Sequence, residues 1–593
     1  MPALGARIEA LDGIRAIAVT AVVAYHLLPE ALPGGFLGVD VFLVLSGYLI
    51  TRGLTTDAST GIGGRLARFW ARRAVRLIPA LAVMLVSVTA VAGLVGGASA
   101  VRLGPQLLSA LTFTGNWYQV DAGVSYFERT EPPLLQHLWS LAVEEQFYLV
   151  WPVLLIVIAV VVRRRRPAAY VAAALACTSA AAMALAFVPG EDPSRVYFGT
   201  DTHGFSMLVG AAAALVTPRT EARNGVRAVL AMGCCLLGFA LLDESSTFTY
   251  RGGIALTAVA AACLVLAVTA PGRLATLLAT PPLVWLGRRS YAIYLWHWPL
   301  IVLAPGIAPG MSTATRSGVV VTLTLCLAAL SWRYVEHPIQ RLGPLAAANG
   351  VLERLRRGGV FPTAGEVASV LAVAMAAGAI SASPERTEAQ DFVTAGQQAI
   401  AQQDAQGRAD GSGTHRSPRG GPIGKQTTIL GDSVTLASAE SLLEELPGVD
   451  IRADVGEQMW DAPATVGRLR DSGDLRRNVV IALGTNGDFH SDVLDEIRAT
   501  AEPGHRFVFV TTHADRDWVP SVNAKLRPLA ADHRHTALAD WDTAASDVTD
   551  FASDGIHPGP QGADIFADVI GAALRSLDGH ASAGAQRKPG GNG

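Results

Sequence analysis

Eleven stretches apolar enough to cross a bilayer run through the first 380 residues of the chain. They lie near Leu11–Leu28, Phe36–Leu54, Leu77–Gly96, Leu138–Val162, Ala168–Val188, Thr202–Val216, Arg227–Leu242, Gly252–Ala270, Tyr291–Pro305, Ser317–Tyr334 and Val360–Ile380. A spanning helix needs about 20 such residues, because it rises about 1.5 Å per residue through about 30 Å of hydrocarbon. The sixth and ninth are short, so ten or eleven helices are expected. Half of all residues are hydrophobic and only 16% are charged. That balance excludes a disordered or fibrous chain and predicts a polytopic α-helical membrane domain. A net charge of −3 gives no reason to expect a nucleic-acid partner.

Cysteine usage narrows the chemistry further. Cys177, Cys234, Cys235, Cys263 and Cys326 all fall in apolar stretches and read as buried, inert thiols. With none beyond Cys326, the polar C-terminal part carries neither a disulfide framework nor a cysteine metal site, and no metal is expected. Asp12 and Arg15 interrupt the first stretch, and no small-residue cleavage site follows. It reads as a retained membrane helix rather than a cleavable signal.

Positive charge orients the set. Arg65, Arg68, Arg72, Arg73 and Arg76 follow the second stretch, and Arg163 to Arg166 follow the fourth. Arg219, Arg223 and Arg227 follow the sixth, Arg273, Arg288 and Arg289 the eighth, and Arg341, Arg354, Arg356 and Arg357 the tenth. All are exits of even-numbered helices, so they share one face. The positive-inside rule makes that face cytoplasmic, with the N-terminus. An odd count of eleven then places everything after Ile380 outside the cytoplasm.

Several polar residues interrupt the apolar stretches. Arg15 and His26 are eleven steps apart, which returns a helix to within about 20° and separates them by about 16 Å. Asp12 lies within about 40° of the same stripe. Ionisable residues on one stripe of a membrane helix point to a functional site, although an interfacial Arg and Asp and a packed His would give the same pattern. Asp40 and Ser46 lie in the second stretch, Glu144, Glu145 and Gln146 in the fourth, Asp201 and His203 in the sixth and His297 in the ninth. The deduced orientation puts His26, Asp40, Glu144 and His203 in the outer half and Arg15, Arg72, Arg73 and Arg76 at the inner face. Arginines bind phosphate through forked donors, and a His held by a carboxylate serves as general base. A long donor with a phosphorylated head, such as coenzyme A, suits that arrangement. The positive-inside rule alone also accounts for the arginines, and an ion-coupled transporter uses similar charges. For His297, between two tryptophans, a packing role is the expectation.

The motifs LDGIRAIAV…AYH, GGFLGVDVFLVLSGYLIT, RFWARRAVRLIPAL, HLWSLAVEEQFYLVWP and SYAIYLWHWPL stand in order between Arg7 and Gly343. Together they resemble the acyltransferase-3 family of bacterial membrane O-acyltransferases. The resemblance implies acyl-CoA as donor substrate, with acetyl favoured and no tightly bound cofactor. It implies His26 as the key catalytic residue, with Glu144 matching the WSL…E…QFY motif. Arg15, Arg73 and Arg76 match its basic positions; with Asp12 and Arg72 beside them they form the expected acyl-CoA-binding set. The implied acceptor is an extracytoplasmic glycan. On this reading residues 7–343 form the acyltransferase domain and 360–380 an additional membrane helix.

Residues 381–425 are rich in Gln, Ala, Gly, Ser, Arg and Asp and read as a flexible linker. From Thr427 short apolar runs alternate with amphipathic stretches. TTIL, NVVIAL and RFVFVTT read as buried strands of a parallel α/β sheet over 426–578, followed by a disordered tail at 579–593. Three motifs follow in order. LGDSVTLA ends a strand at Ser433, ALGTNGD ends another at Asn486, and SDGIHPGPQG sets Asp554 and His557 three apart. A serine at a strand-to-helix turn is exposed to attack a carbonyl, an Asn amide there can donate to an oxyanion, and an acid and a base fit on one turn. Singly, each is also an ordinary cap or turn. Together they resemble the SGNH hydrolase family. That implies Ser433 as nucleophile, His557 as general base and Asp554 as its orienter. The implied oxyanion hole is the Ser433 backbone, Asn486 and, in VGEQ, Gly456; His490 and His513 match no motif.

The fusion resembles O-acetyltransferases that modify peptidoglycan or other cell-surface polysaccharides. The expected protein is a multi-pass cell-membrane enzyme that moves an acetyl group from cytoplasmic acyl-CoA to glycan hydroxyls by way of Ser433. Two other readings fit the same residues: an extracytoplasmic carbohydrate esterase, and a multispan transporter with a glycan-binding outer domain. The oligomeric state does not follow from the sequence.

Overall fold

A computed structural model of the chain describes residues 8–56, 61–127, 131–162, 165–189, 191–216, 225–342, 364–409, 422–501, 504–516, 518–529 and 535–585. The chain divides into two compact units, residues 1–385 and 386–593.

Each of the eleven apolar stretches holds a helix in the N-terminal unit. The helices are Glu9–Leu27, Gly38–Thr56, Ile62–Val95, Trp139–Val162, Arg165–Ala186, Phe205–Leu215, Gly225–Leu241, Ile254–Val268, Ser290–Ile307, Thr313–Ser331 and Ala364–Ser381. Seven helices among the described residues are long and apolar enough to cross a bilayer by themselves, and Gly225–Leu241 is a shorter apolar helix. Helix Phe205–Leu215 has 11 residues, which spans only about half of the hydrocarbon. Its partner explains why it is nonetheless fixed. Gly210 lies so close to the Gly38–Thr56 helix that a Cβ there would sit 2.0 Å from the Val44 carbonyl oxygen. A Cβ on Gly47 would sit 1.9 Å from that of Met207. Small residues on both helices let the backbones touch, which replaces the hydrophobic drive that lipid does not supply. Around this crossing Phe36, Trp139, Tyr197, Phe198 and Phe205 are buried in one core.

One expectation changes here. Only Cys235 is a buried thiol, whereas Cys177, Cys234, Cys263 and Cys326 face outward from their helices. In lipid an apolar outward face carries no penalty, so an apolar stretch does not imply burial within protein. Of the basic clusters, Arg163, Arg164, Arg219, Arg223, Arg354, Arg356 and Arg357 lie outside the described residues.

The C-terminal unit is built on five parallel strands: β1 (Thr427–Gly431), β2 (Asp450–Ala453), β3 (Asn478–Ala482), β4 (Arg506–Val510) and β5 (Thr536–Ala539). Their spatial order is β2-β1-β3-β4-β5. Leu430 pairs with Ile481 and Val480 with Val508 in register. β1, β3 and β4 are buried along their whole length, because helices cover both faces of a parallel sheet. From β1 the chain steps to β2 on one side, then crosses to β3 on the other. A crevice opens where the winding reverses, at the carboxyl ends of β1 and β3.

The expected linker is in part a helix. Glu388–Ala409 packs on the short helices Ser433–Ala437 and Ala439–Glu445. A Cβ on Gly396 would sit 1.7 Å from the Leu436 carbonyl oxygen, and the Gln403 amide donates to the Val449 carbonyl at 2.9 Å. Ala389, Gly396, Ile400 and Gln403 recur at helical spacing and lie on the less exposed side. The stripe is too weakly apolar to stand out by composition, whereas Ala and Gln are good helix formers. Residues 410–421 of that stretch lie outside the described residues. The last helix, Pro560–Ala585, runs on into the expected tail, and 586–593 lie outside the described residues.

Replacing Gly210 by Val is expected to force the two helices apart and to cost roughly 1–3 kcal/mol, the range for overpacking. The melting temperature of the detergent-solubilised protein measures it. An unchanged value would mean that the backbones are not in contact.

Candidate active site

In the N-terminal unit the first helix carries the polar stripe. Asp12 is buried and pairs with Arg15 at 3.6 Å and with Arg288 at 3.9 Å. Asp12 therefore holds Arg15 in place. Arg15, Arg73, Arg76 and Glu144 line one cavity, together with Tyr291 and Tyr294. Arg73 lies 4.7 Å over the ring of Tyr148, a cation–π contact that fixes its direction. Glu144 accepts hydrogen bonds from the Ser46 and Tyr148 hydroxyls. Three guanidiniums about one cavity suit a polyanionic head group. Arg72 lines a neighbouring groove with Arg65 and Arg73.

His26 is held by a different set. The His297 Nδ1–H donates to the Tyr294 carbonyl at 2.7 Å, since a carbonyl can only accept. In a neutral His297, Nε2 is then the lone pair, and it faces His26 Nδ1 at 3.0 Å. His26 must donate there, which leaves its own Nε2 as the acceptor. The Tyr126 hydroxyl points at that nitrogen from 3.2 Å. One tautomer of His26 is thus selected by a backbone carbonyl two links away. His297, expected to pack, is the residue that orients His26, and Tyr126 was not singled out by any motif. Their signal in the sequence was a His among aromatics, which packing explains equally well. The carboxylate–histidine pair expected in this region forms elsewhere. Asp40 bonds His203 Nε2 at 2.8 Å, both fully buried, and accepts from Ser206 at 2.6 Å.

In the C-terminal unit β1 ends in Gly431 and the chain turns at Asp432. The Asp432 carboxylate caps the next helix by accepting from the Val434 N–H at 3.0 Å, so Ser433 is the first helical residue with its N–H free of the helix ladder. Burial pushes the Asp432 carboxyl above the usual carboxylate range. The Ser433 Oγ–H donates to His557 Nε2 at 2.8 Å, and the His557 Nδ1–H donates to Asp554 Oδ2 at 2.5 Å. Asp554 Oδ1 also accepts the backbone N–H groups of Ile556 and His557 at 2.8 and 3.1 Å. Burial raises the Asp554 carboxyl, but the His557 contact and these N–H donors outweigh it and hold it below the usual range. The three side chains stand in the hydrogen-bond series that a nucleophile, a base and its orienter require.

Gly484, with φ of +127°, bends the chain sharply after β3. The bend returns Asn486, whose side-chain amide donates to the Glu457 carbonyl at 3.0 Å. One amide hydrogen remains for an oxyanion. Gly456, with φ of +82°, lies on the turn after β2 beside Glu457. His513 is engaged by Asp542 at 3.3 Å and stacks on Phe551, and His490 is exposed on the surface.

A serine triad at the switch point of a parallel sheet marks the C-terminal unit as an SGNH-hydrolase-like α/β domain. Joined to a helical membrane unit with arginines about one cavity, it defines a membrane enzyme of acyl transfer. The acyltransferase-3 profile, described as an acyltransferase domain, matches residues 8–333, and the chain belongs to that family. The peptidoglycan O-acetyltransferase OatA of Listeria monocytogenes is 32% identical, over 95% of this chain and 97% of its own. The O-acetyltransferase OatA of Staphylococcus aureus is 28% identical over 96% of each chain. Among solved structures, the C-terminal catalytic domain of Streptococcus pneumoniae peptidoglycan O-acetyltransferase A, with a methylsulfonyl adduct, is 28% identical. It covers 26% of this chain and 94% of that one, with a TM-score of 0.25.

Because the folded Asp554 is depressed, its contribution to stability is complete above about pH 4, the unfolded carboxyl value, and is lost as pH falls through the lower folded one. The gap in melting temperature between wild type and Asp554→Asn should therefore narrow steadily between about pH 5 and pH 2. A constant gap would remove the carboxylate from the account.

Proposed function

We propose that this protein O-acetylates cell-wall peptidoglycan, drawing acetyl groups from cytoplasmic acetyl-CoA and passing them through Ser433. The observation that carries the reading is the hydrogen-bonded series Ser433–His557–Asp554 in one chain with the arginine-lined cavity. The basic clusters at alternate exits support a cytoplasmic N-terminus and a C-terminal unit on the far side of the cell membrane. The names of the relatives support peptidoglycan as acceptor.

Arg15, Arg73 and Arg76 hold the phosphates of the donor, and His26 acts through Nε2 on the acyl transfer. At the second centre the Ser433 Oγ attacks the acyl carbonyl and His557 takes its proton. The new O–C bond forms as the bond to the carrier breaks, and His557 passes that proton to the leaving carrier, which frees it to act as base again. Next, a glycan hydroxyl attacks the Ser433 ester and gives its proton to His557. The ester bond to Oγ breaks, and His557 returns the proton to Oγ. In both steps the oxyanion faces the Ser433 N–H and the Asn486 amide. Water in place of the glycan would make the same triad an esterase.

Labelled acetyl-CoA supplied only to the cytoplasmic face of sealed vesicles tests the relay. Label on Ser433 by peptide mass spectrometry, lost in His26→Ala, is the expected outcome. An unlabelled Ser433 with intact ester hydrolysis would overturn it in favour of an esterase.

His297→Leu removes the acceptor for the His26 Nδ1–H and should slow labelling of Ser433 by about 100-fold, the lower end of what a positioned general base contributes. His297→Gln, whose carbonyl oxygen can accept the same hydrogen, should retain more. Equal rates in both variants would leave His297 a packing residue.

A further inference from the structure

The C-terminal unit hides its large apolar side chains with two exceptions among the described residues, Val455 at 65% exposure and Trp460 at 52%. Both lie in the loop that follows β2, at the carboxyl end of the sheet where the switch-point crevice opens. An exposed indole offers a flat apolar face with an N–H edge, a form suited to a ligand that is apolar on one side and polar on the other. This one is also held in place. Met459, the preceding residue, is buried in the core, and residues Met459–Asp461 form a turn of 3-10 helix.

The loop and the oxyanion donor are tied to each other twice. The Asn486 amide donates to the Glu457 carbonyl at 3.0 Å, and the Gln458 amide donates to the Asn486 carbonyl at 3.1 Å. The indole lies beside the next residue of that turn. A Cβ on Gly487 would sit 3.6 Å from the edge of the Trp460 six-membered ring and 3.2 Å from the Gln458 side-chain Oε1. A flat apolar surface therefore stands at a fixed distance from the oxyanion donor, on the β2–β3 side of the crevice. His557 and Asp554 come from the turn that precedes the last helix, Pro560–Ala585. The loop also presents Asp454 and Asp461, both exposed, as hydroxyl acceptors.

A pyranose ring has an axial C–H face that packs on an aromatic ring and an equatorial rim of hydroxyls that bonds carboxylates and amides. We propose that Trp460 is the acceptor platform of the C-terminal unit: the C–H face of a pyranose residue stacks on its indole, and that residue or its neighbour presents a hydroxyl to acyl-Ser433. This rests on the reading of Ser433 as the acyl carrier. The platform decides how the ester partitions. A stacked sugar keeps a hydroxyl at the carbonyl and displaces the water that would otherwise hydrolyse it.

The full-length protein in detergent tests this with a simple acetyl ester as donor and a β-1,4-linked N-acetylglucosamine pentamer as acceptor. Acetylated pentamer and free acetate are both counted. Trp460→Ala should raise KM for the pentamer about tenfold and shift the product ratio about tenfold toward free acetate. Trp460→Phe, which restores an aromatic face, should recover most of both. If Trp460→Ala lowers transfer and hydrolysis in proportion, the side chain only supports the Asn486 turn, and the proposal fails. Unchanged KM and product ratio would also overturn it. Pentamer binding to the Ser433→Ala protein by calorimetry, weakened about tenfold by adding Trp460→Ala, gives a readout independent of turnover. If wild type acetylates the pentamer while Ser433→Ala does so equally, the acyl-serine reading fails instead, and the calorimetric comparison still decides the platform.

Discussion

A polar side chain taken out of water must find its partner within the protein, and that requirement shapes both units of this chain. His26 is met by His297, 271 residues away. Asp40 is met by His203 across 163 residues, Glu144 by Ser46 across 98 and Ser433 by His557 across 124. Each bond crosses between segments that are distant in sequence, so each can form only when the helices or strands carrying its ends are packed correctly. Leaving one such group unpaired in a buried site costs on the order of 1–3 kcal/mol or more. These paired polar groups therefore also specify the packing.

The two units satisfy this demand with different backbones. The membrane helices bond their backbone groups largely within themselves, so the polar side chains are left to organise the contacts. Close backbone approach at Gly47 and Gly210 brings the Asp40 helix against the His203 segment. In the C-terminal unit the strands bond to one another, and the winding leaves a crevice beyond β1 and β3. A capped helix start, a glycine bend and a tight acidic turn then deliver Ser433, Asn486 and His557 to it. The helix Glu388–Ala409 supports that crevice from behind, through its contact with the Ser433–Ala437 helix.

Much of this was legible in the sequence. The eleven apolar stretches mark eleven helices, and TTIL, NVVIAL and RFVFVTT mark β1, β3 and β4, because continuous apolar runs survive only where both faces are covered. β2, with the sequence DIRA, and β5, with TALA, are edge strands of four residues. They are too short and too mixed for such a run. The helix at 388–409 was hidden for a related reason: its buried side is made of Ala, Gly and Gln, which composition reads as linker. Asp12 was grouped with the donor-binding residues because it shares their stripe, whereas its neighbours Arg15 and Arg288 claim its carboxylate.

By itself the sequence determined the membrane helices, the parallel sheet and the three short motifs of the triad, since each is a local pattern of polarity or turn chemistry. Only the tertiary structure decided which residues meet. It paired Asp40 with His203, gave His26 a histidine for its partner, placed Arg72 in a groove beside the cavity and set Trp460 beside Gly487. Periodicity reports the face of an element on which a residue lies. The neighbour on the other side of that face is set by the packing of segments far apart in the chain, which no local pattern encodes.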